Sequence, residues 1–161
     1  MINQKACSRH RSPARSVKLA FALLLGTVPA IAVASQGSFT GVWKREWSCK
    51  GATGFYAQRC ASGIRDVFEL TVIASGHSIC GLHFATAQLQ NRVDEGDLVG
   101  TGPSITGTFS GDTAHLQFHS SWGGSGTATL TLHGNSLHWQ IVREQGMAWL
   151  PIEAHLKRVS A

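Results

Sequence analysis

Two glycine-led dipeptides, Gly111-Asp112 and Gly134-Asn135, constrain this chain more than any other feature. Each lies between runs in which apolar and polar residues alternate, the period of a strand with one buried face. Taken as two-residue hairpin loops, they fix the pairing on either side. Ser110 then faces Thr113, Phe109 faces Ala114, Gly107 faces Leu116 and Ile105 faces Phe118. Across the second loop Leu132 faces Leu137, Leu130 faces Trp139 and Ala128 faces Ile141. Every inward residue meets an inward residue, and a slip of one would set each against an outward one.

The same alternation recurs along the chain, cut by glycine, and no helical period competes with it. It marks eight strands, at 39–47, 66–74, 79–89, 104–110, 113–121, 127–133, 136–143 and 152–159. A three-residue loop at Gly76-His77-Ser78 keeps Cys80, Leu82 and Phe84 inward, pairing Val72 with Leu82 and Leu70 with Phe84. A three-residue loop at Trp122-Gly123-Gly124 sets Ser121 opposite Ser125 and His115 opposite Thr131. In the last strand Ile152, Ala154 and Leu156 point inward, and the same parity carries Arg158 to the inner face at its end. Eight hairpin-linked strands, each with one apolar face, bury those faces best by closing. The predicted fold is all-β: an eight-stranded antiparallel up-and-down (meander) barrel. Trp43, Phe68, Leu70, Phe84, Phe109, Phe118 and Trp139 supply enough inward bulk to fill most of it.

Residues 1–34 read differently. Lys5, Arg9, Arg11, Arg15 and Lys18 precede an apolar run that ends in Ala32-Val33-Ala34. That is the pattern of a secretory signal peptide, cut before Ser35, with a run too short to span a bilayer. No cysteine follows the run and Arg9 and Arg11 are not adjacent, so neither a lipid anchor nor a twin-arginine signal is indicated. Residues 35–161 form one domain, expected in the periplasm or outside the cell, with no membrane span once the signal is removed. The chain carries 14 Lys and Arg against 9 Asp and Glu, and the five cations of residues 1–34 account for the whole excess. The domain is therefore neutral, and nothing in it suggests nucleic acid as a partner. Of its cysteines, Cys49 and Cys60 bracket a long connection and are the expected disulfide, with Cys80 pairing to one of them as the alternative.

Gly41-Val42-Trp43 on the first strand resembles the G-x-W signature of the calycin barrels, which include lipocalins, fatty-acid-binding proteins and avidins. The resemblance implies a barrel in which Trp43 plugs one end and a cation of the last strand, here Arg158, lies across it. Neither a lipocalin T-D-Y pattern nor an avidin biotin-site pattern accompanies it. The stretch "SITG…GGSGTATLTL…LHW" is similar to small exported bacterial barrels of uncharacterised activity. The S-G-x-x-Y loop of the periplasmic lysozyme inhibitors is absent, since neither Ser62-Gly63 nor Ser75-Gly76 leads to a tyrosine.

Seven of the eight histidines fall after residue 34. His115 and His119 share an outer face about 13 Å apart, and the registers above put His115 and His138 about 10 Å apart. Neither pair can share a zinc, whose bonds are near 2 Å, so no metal and no cofactor are expected. The run "NRVDEGD" at 91–97 is the densest polar segment and lacks calcium-loop spacing. Asn91, Arg92, Asp94 and Glu95 are read there as partner-binding candidates on a connecting loop, beside a solvated Arg92–Asp94 pair as the plain alternative. Trp122, in a glycine-rich loop, is the matching aromatic candidate. Gly76-His77-Ser78-Ile79-Cys80 lacks the final glycine of a nucleophile elbow and sits on a hairpin. The expected function is that of an exported, non-catalytic binding barrel. It would take a small apolar ligand inside, or an envelope protein or glycan on its loops. The alternative is a structural or inhibitor-type envelope protein with no internal ligand.

Overall fold

The computed structural model describes residues 38–100 and 102–160. The signal peptide expected over residues 1–34 and the cut expected before Ser35 lie outside the described residues. Nine strands follow one another: β1 Gly41–Glu46, β2 Val67–Ser75, β3 Ser78–Ala87, β4 Arg92–Glu95, β5 Ile105–Ser110, β6 Thr113–His119, β7 Ser125–His133, β8 Ser136–Gln145 and β9 Glu153–Ser160. Among the described residues one helix, α1 (Gly54–Ala61), interrupts the β1–β2 connection, and a 3-10 turn spans Gly96–Val99. Eight strands close a ring in the order β2-β1-β9-β8-β7-β6-β5-β3, with β3 returning to β2 and every pairing antiparallel. The fold is an eight-stranded meander barrel, and at that level it fits a calycin-like barrel. The short β4 is the addition: it pairs with the half of β3 that β5 leaves free.

Three two-residue hairpins crowd one end. Gly76, Gly111 and Gly134 each occupy the first loop position at φ +61°, +57° and +59°, the arrangement of a II′ turn, whose twist matches that of the strands. Both registers derived from Gly111-Asp112 and Gly134-Asn135 are present, from Ser110 opposite Thr113 to Ala128 opposite Ile141. The loop at residue 76 is shorter than the pattern predicts. Ser75 faces Ser78, so Leu70 meets His83 and Val72 meets Gly81. Ile79, His83 and Ala85 consequently point inward, while Phe84 is exposed on the outer wall. Both faces of β3 carry apolar residues, so alternation could not choose between them, and the turn did.

Other expectations shift for similar reasons. His119 faces Ser125, which makes 120–124 a five-residue loop and slips the register by two, leaving the inward faces intact. His115 therefore lies opposite Thr129, while His138 is opposite Thr131 as expected. Ile152 precedes β9 and is exposed. The 91–97 run is in part a strand and a 3-10 turn rather than a plain loop.

Side chains fill the interior. Trp43, Phe68, Leu70, Leu130, Leu137, Trp139, Phe118 and Leu156 are at most 1 % exposed. Trp139 lies at the centre, 5.3 Å from the Phe68 ring and 5.9 Å from Phe118, in the tilted contacts that aromatic rings favour. At the hairpin end Trp43 is opposite Arg158, whose guanidinium carbon stands 4.0 Å from the indole centre. The guanidinium donates to the carbonyls of Thr40 and Ser38, and the indole N–H donates to Phe39 at 2.8 Å. The plug expected from Gly41-Val42-Trp43 is thus formed, with the indole N–H and both terminal guanidinium nitrogens hydrogen-bonded. Trp47 packs against the core further along β1.

The Cys49–Cys60 disulfide is present, with Cα atoms 5.9 Å apart. It fastens α1, of which only Cys60 is buried, and closing a loop of this size contributes about 3 kcal/mol. Cys80 is buried on the outer side of β3.

Candidate functional site

The end opposite the hairpins is built from long connections, and a carboxylate holds them together. Asp94, on β4, is fully buried. Its Oδ1 accepts from the backbone and hydroxyl of Ser121, both at 2.9 Å, and lies 3.1 Å from His83 Nε2. Its Oδ2 accepts from the Ser120 hydroxyl at 2.6 Å and the Trp149 backbone N–H at 2.9 Å. Four separate segments meet on one side chain: β3, β4, the 120–124 loop and the connection before β9. Burial by itself raises the carboxyl, but the bonds from His83, Ser120, Trp149 and Ser121 outweigh it. They hold Asp94 well below the usual carboxylate range.

His83 continues the network inward. Its Nδ1 is 2.9 Å from the hydroxyl of Ser104, which is also buried. An ionised Asp94 needs a proton on Nε2, so a neutral ring accepts at Nδ1 from the Ser104 hydroxyl. The Ser104 oxygen in turn accepts from the His83 backbone N–H at 3.2 Å. The line Ser104–His83–Asp94 has the composition of a hydrolase triad with the ring nitrogens exchanged, since in that triad Asp faces Nδ1 and Ser faces Nε2. Ser104 is fully enclosed: a Cβ on Gly96 would lie 2.3 Å from its hydroxyl. As packed, its oxygen has no surface on which a substrate could sit.

Above this buried hub the rim is aromatic and cationic. The ring of Trp122 is 43 % exposed although its N–H donates to the Val93 carbonyl at 2.6 Å. It meets Trp149 edge-on at 6.2 Å, and the Arg92 guanidinium carbon lies 5.7 Å from Trp122 and 5.5 Å from Trp149. Val93 and Met147 are exposed beside them, and the Met147 carbonyl accepts from Gly124 at 2.8 Å.

The candidates named from the sequence therefore separate. Arg92 and Trp122 come together at the rim. Asn91 is exposed in the turn before β4, and Glu95 is half-buried with its N–H donating to Ser121. Asp94 does not face a partner: alternation on β4 turns it into the barrel, and the solvated Arg92–Asp94 pair does not form. The sequence pattern assigned no site role to His83, Ser104, Ser120, Ser121 or Trp149. Ser120 and Ser121 carried a usable signal, two hydroxyl residues entering a glycine-rich loop, but their acceptor is 26 residues away.

A second carboxylate organises the flank of this end. Asp66 accepts from the backbone N–H groups of Leu89 and Gln90 at 3.0 and 3.1 Å. Gln88, Leu89 and Gln90 all have positive φ, near 55°, 53° and 64°, a conformation that non-glycine residues seldom adopt in succession. Arg59 of α1 donates to the Leu89 carbonyl at 3.0 Å, so the disulfide-fastened helix helps hold the strained turn.

No family model matches the chain, and neither a curated protein nor a solved structure was found to match it.

Proposed function

We propose that this chain is an exported, calycin-like, non-catalytic binding barrel that takes a protein partner on the rim formed by Arg92, Val93, Trp122, Met147 and Trp149. The observation that carries the reading is an exposed tryptophan held rigidly. Trp122 is fixed by its own N–H, by Trp149 and by the Asp94 hub beneath it, yet leaves much of its ring to solvent. Tryptophan, arginine and methionine are the side chains enriched in interface centres, and a pre-ordered ring costs little entropy on binding. The exposed Val93 and Met147 favour a protein over a glycan, whose hydroxyls would find few polar partners there.

The packed interior weighs against a small apolar ligand inside, because no such ligand could enter without displacing Trp43, Phe68 or Trp139. The enclosure of Ser104 supports a non-catalytic reading. The outer wall of β6 and β7, with His115, Gln117, Thr127 and Thr129 facing out, is the inverse of a membrane barrel's apolar girdle. The disulfide is consistent with an oxidising compartment.

Site-specific photo-cross-linking from position 122 in the export compartment tests the proposal. One protein adduct is expected, lost in Arg92→Ala and retained in a variant of the outer face of β7 such as Thr129→Ala. Equal cross-linking from positions 122 and 129 would favour the structural reading, in which the rim merely caps the core.

A further inference from the structure

On the outer wall, β8 and β9 bring together His138, Glu153 and His155. His138 lies directly opposite His155, and Glu153 is two residues before it on the same strand, so all three project from one face. The two imidazoles stack at 4.4 Å with their planes 11° apart. Both turn Nε2 toward one carboxylate oxygen: Glu153 Oε1 is 2.8 Å from His138 Nε2 and 3.9 Å from His155 Nε2. The three donor atoms all lie within 4.8 Å of one another.

From this geometry we infer a divalent zinc site, with His138, Glu153 and His155 as three ligands and water in the fourth position. Two imidazole nitrogens and a carboxylate oxygen suit an ion of zinc's borderline character better than an all-oxygen cation such as calcium. A tetrahedral zinc with bonds near 2 Å needs its ligands about 3.3 Å apart. His138 and Glu153 are already closer than that. His155 is 71 % exposed and Glu153 55 %, so both can rotate the remaining distance without disturbing the core. His115 and His138, already too wide to share an ion on the registers read from the sequence, do not form the set; the neighbouring strand β9 supplies its other two members. An ion here would tie the C-terminal strand β9, which carries Arg158 to the Trp43 plug, to β8.

The test uses the untagged protein, as processed by the expressing cell, stripped with a chelator and titrated with Zn²⁺ by calorimetry. One zinc per chain is expected, with a rise in melting temperature on saturation. Losing a supporting neighbour of a ligand typically costs about 10- to 100-fold in affinity, so His138→Ala and His155→Ala should each cost at least that much. His115→Ala, two strands away on β6, should bind as the parent does. Imidazole ¹⁵N resonances of the unmodified protein provide a readout that does not depend on how the variants fold. Zinc should shift those of His138 and His155 and leave His83 unmoved. Absence of stoichiometric zinc, or zinc binding that survives both substitutions, or shifts confined to other histidines, would overturn the inference.

Discussion

At the hairpin end of the barrel, a tryptophan is closed over by an arginine near the end of β9; at the other end, four segments are drawn onto a buried aspartate. Each end holds a charge, half-buried at Arg158 and fully buried at Asp94, and each satisfies it with hydrogen bonds. They differ in what the charge organises. Arg158 donates to carbonyls of the segment just before β1, so its partners are preset by the adjacent strand. Asp94 gathers Ser120, Ser121 and Trp149, which lie 26, 27 and 55 residues away. The first end is closed by local turns and a neighbouring strand, and the second depends on one side chain. The rim that we assign to partner binding stands on the second.

The largest expected effect follows from removing that side chain. Asp94→Asn keeps the volume but sets an amide against donors, and each buried donor left unpaired costs about 1–3 kcal/mol. We expect a loss of about 3–5 kcal/mol by urea unfolding, with faster amide exchange confined to 120–124 and 147–149. A loss below about 1 kcal/mol would show that the long loops hold themselves.

The pH dependence sharpens the same contrast. Because the folded carboxyl is held below its ordinary value of 3.8, Asp94 contributes stability that is fully present above that value and lost as pH falls below it. Between pH 6 and pH 3 the parent should lose more stability than Asp94→Asn. Parallel losses in the two proteins would place the acid sensitivity elsewhere.

Arg158→Ala should cost about 2 kcal/mol, from the cation–π contact and the donors to Thr40 and Ser38. The damage should stay at the hairpin end, visible as increased quenching of Trp43 fluorescence with exchange at 120–124 unchanged. Spread of the effect to the long loops would mean that the two ends are coupled through the core.

The smallest effect is expected of Trp122→Ala, about 1 kcal/mol, since one hydrogen bond and a half-exposed ring are lost. Partner cross-linking at the rim should nevertheless disappear, tested from position 149. A drop of several kcal/mol in melting experiments would make Trp122 a core residue instead of a contact residue.

Much of the barrel was legible in the residues themselves. Alternation with period two, and glycine-led loops that allow only one parity, determined the eight strands of the ring and two registers; the bracketing of a long connection by Cys49 and Cys60 pointed to the disulfide, and the resemblance of Gly41-Val42-Trp43 to the G-x-W signature implied the Trp43–Arg158 plug. The strands and registers are consequences of short-range geometry: a two-residue turn leaves no freedom in the pairing beside it. Where the local signal was degenerate, tertiary structure decided. β3 is apolar on both faces, so its inward set is selected by the two-residue turn at Gly76-His77 and by the closed ring, which puts Gly81 against the Thr71 backbone and His83 beside Asp94. The five-residue loop at 120–124 preserves parity as well as a three-residue loop does, and it prevails because Ser120 and Ser121 leave the ladder to reach a carboxylate. The same holds for His138 and His155, whose meeting depends on a β8–β9 register that no tight turn sets. A hydrogen bond or ligand set between distant segments has no period and no spacing to read; it exists only once closure of the ring has brought those segments together.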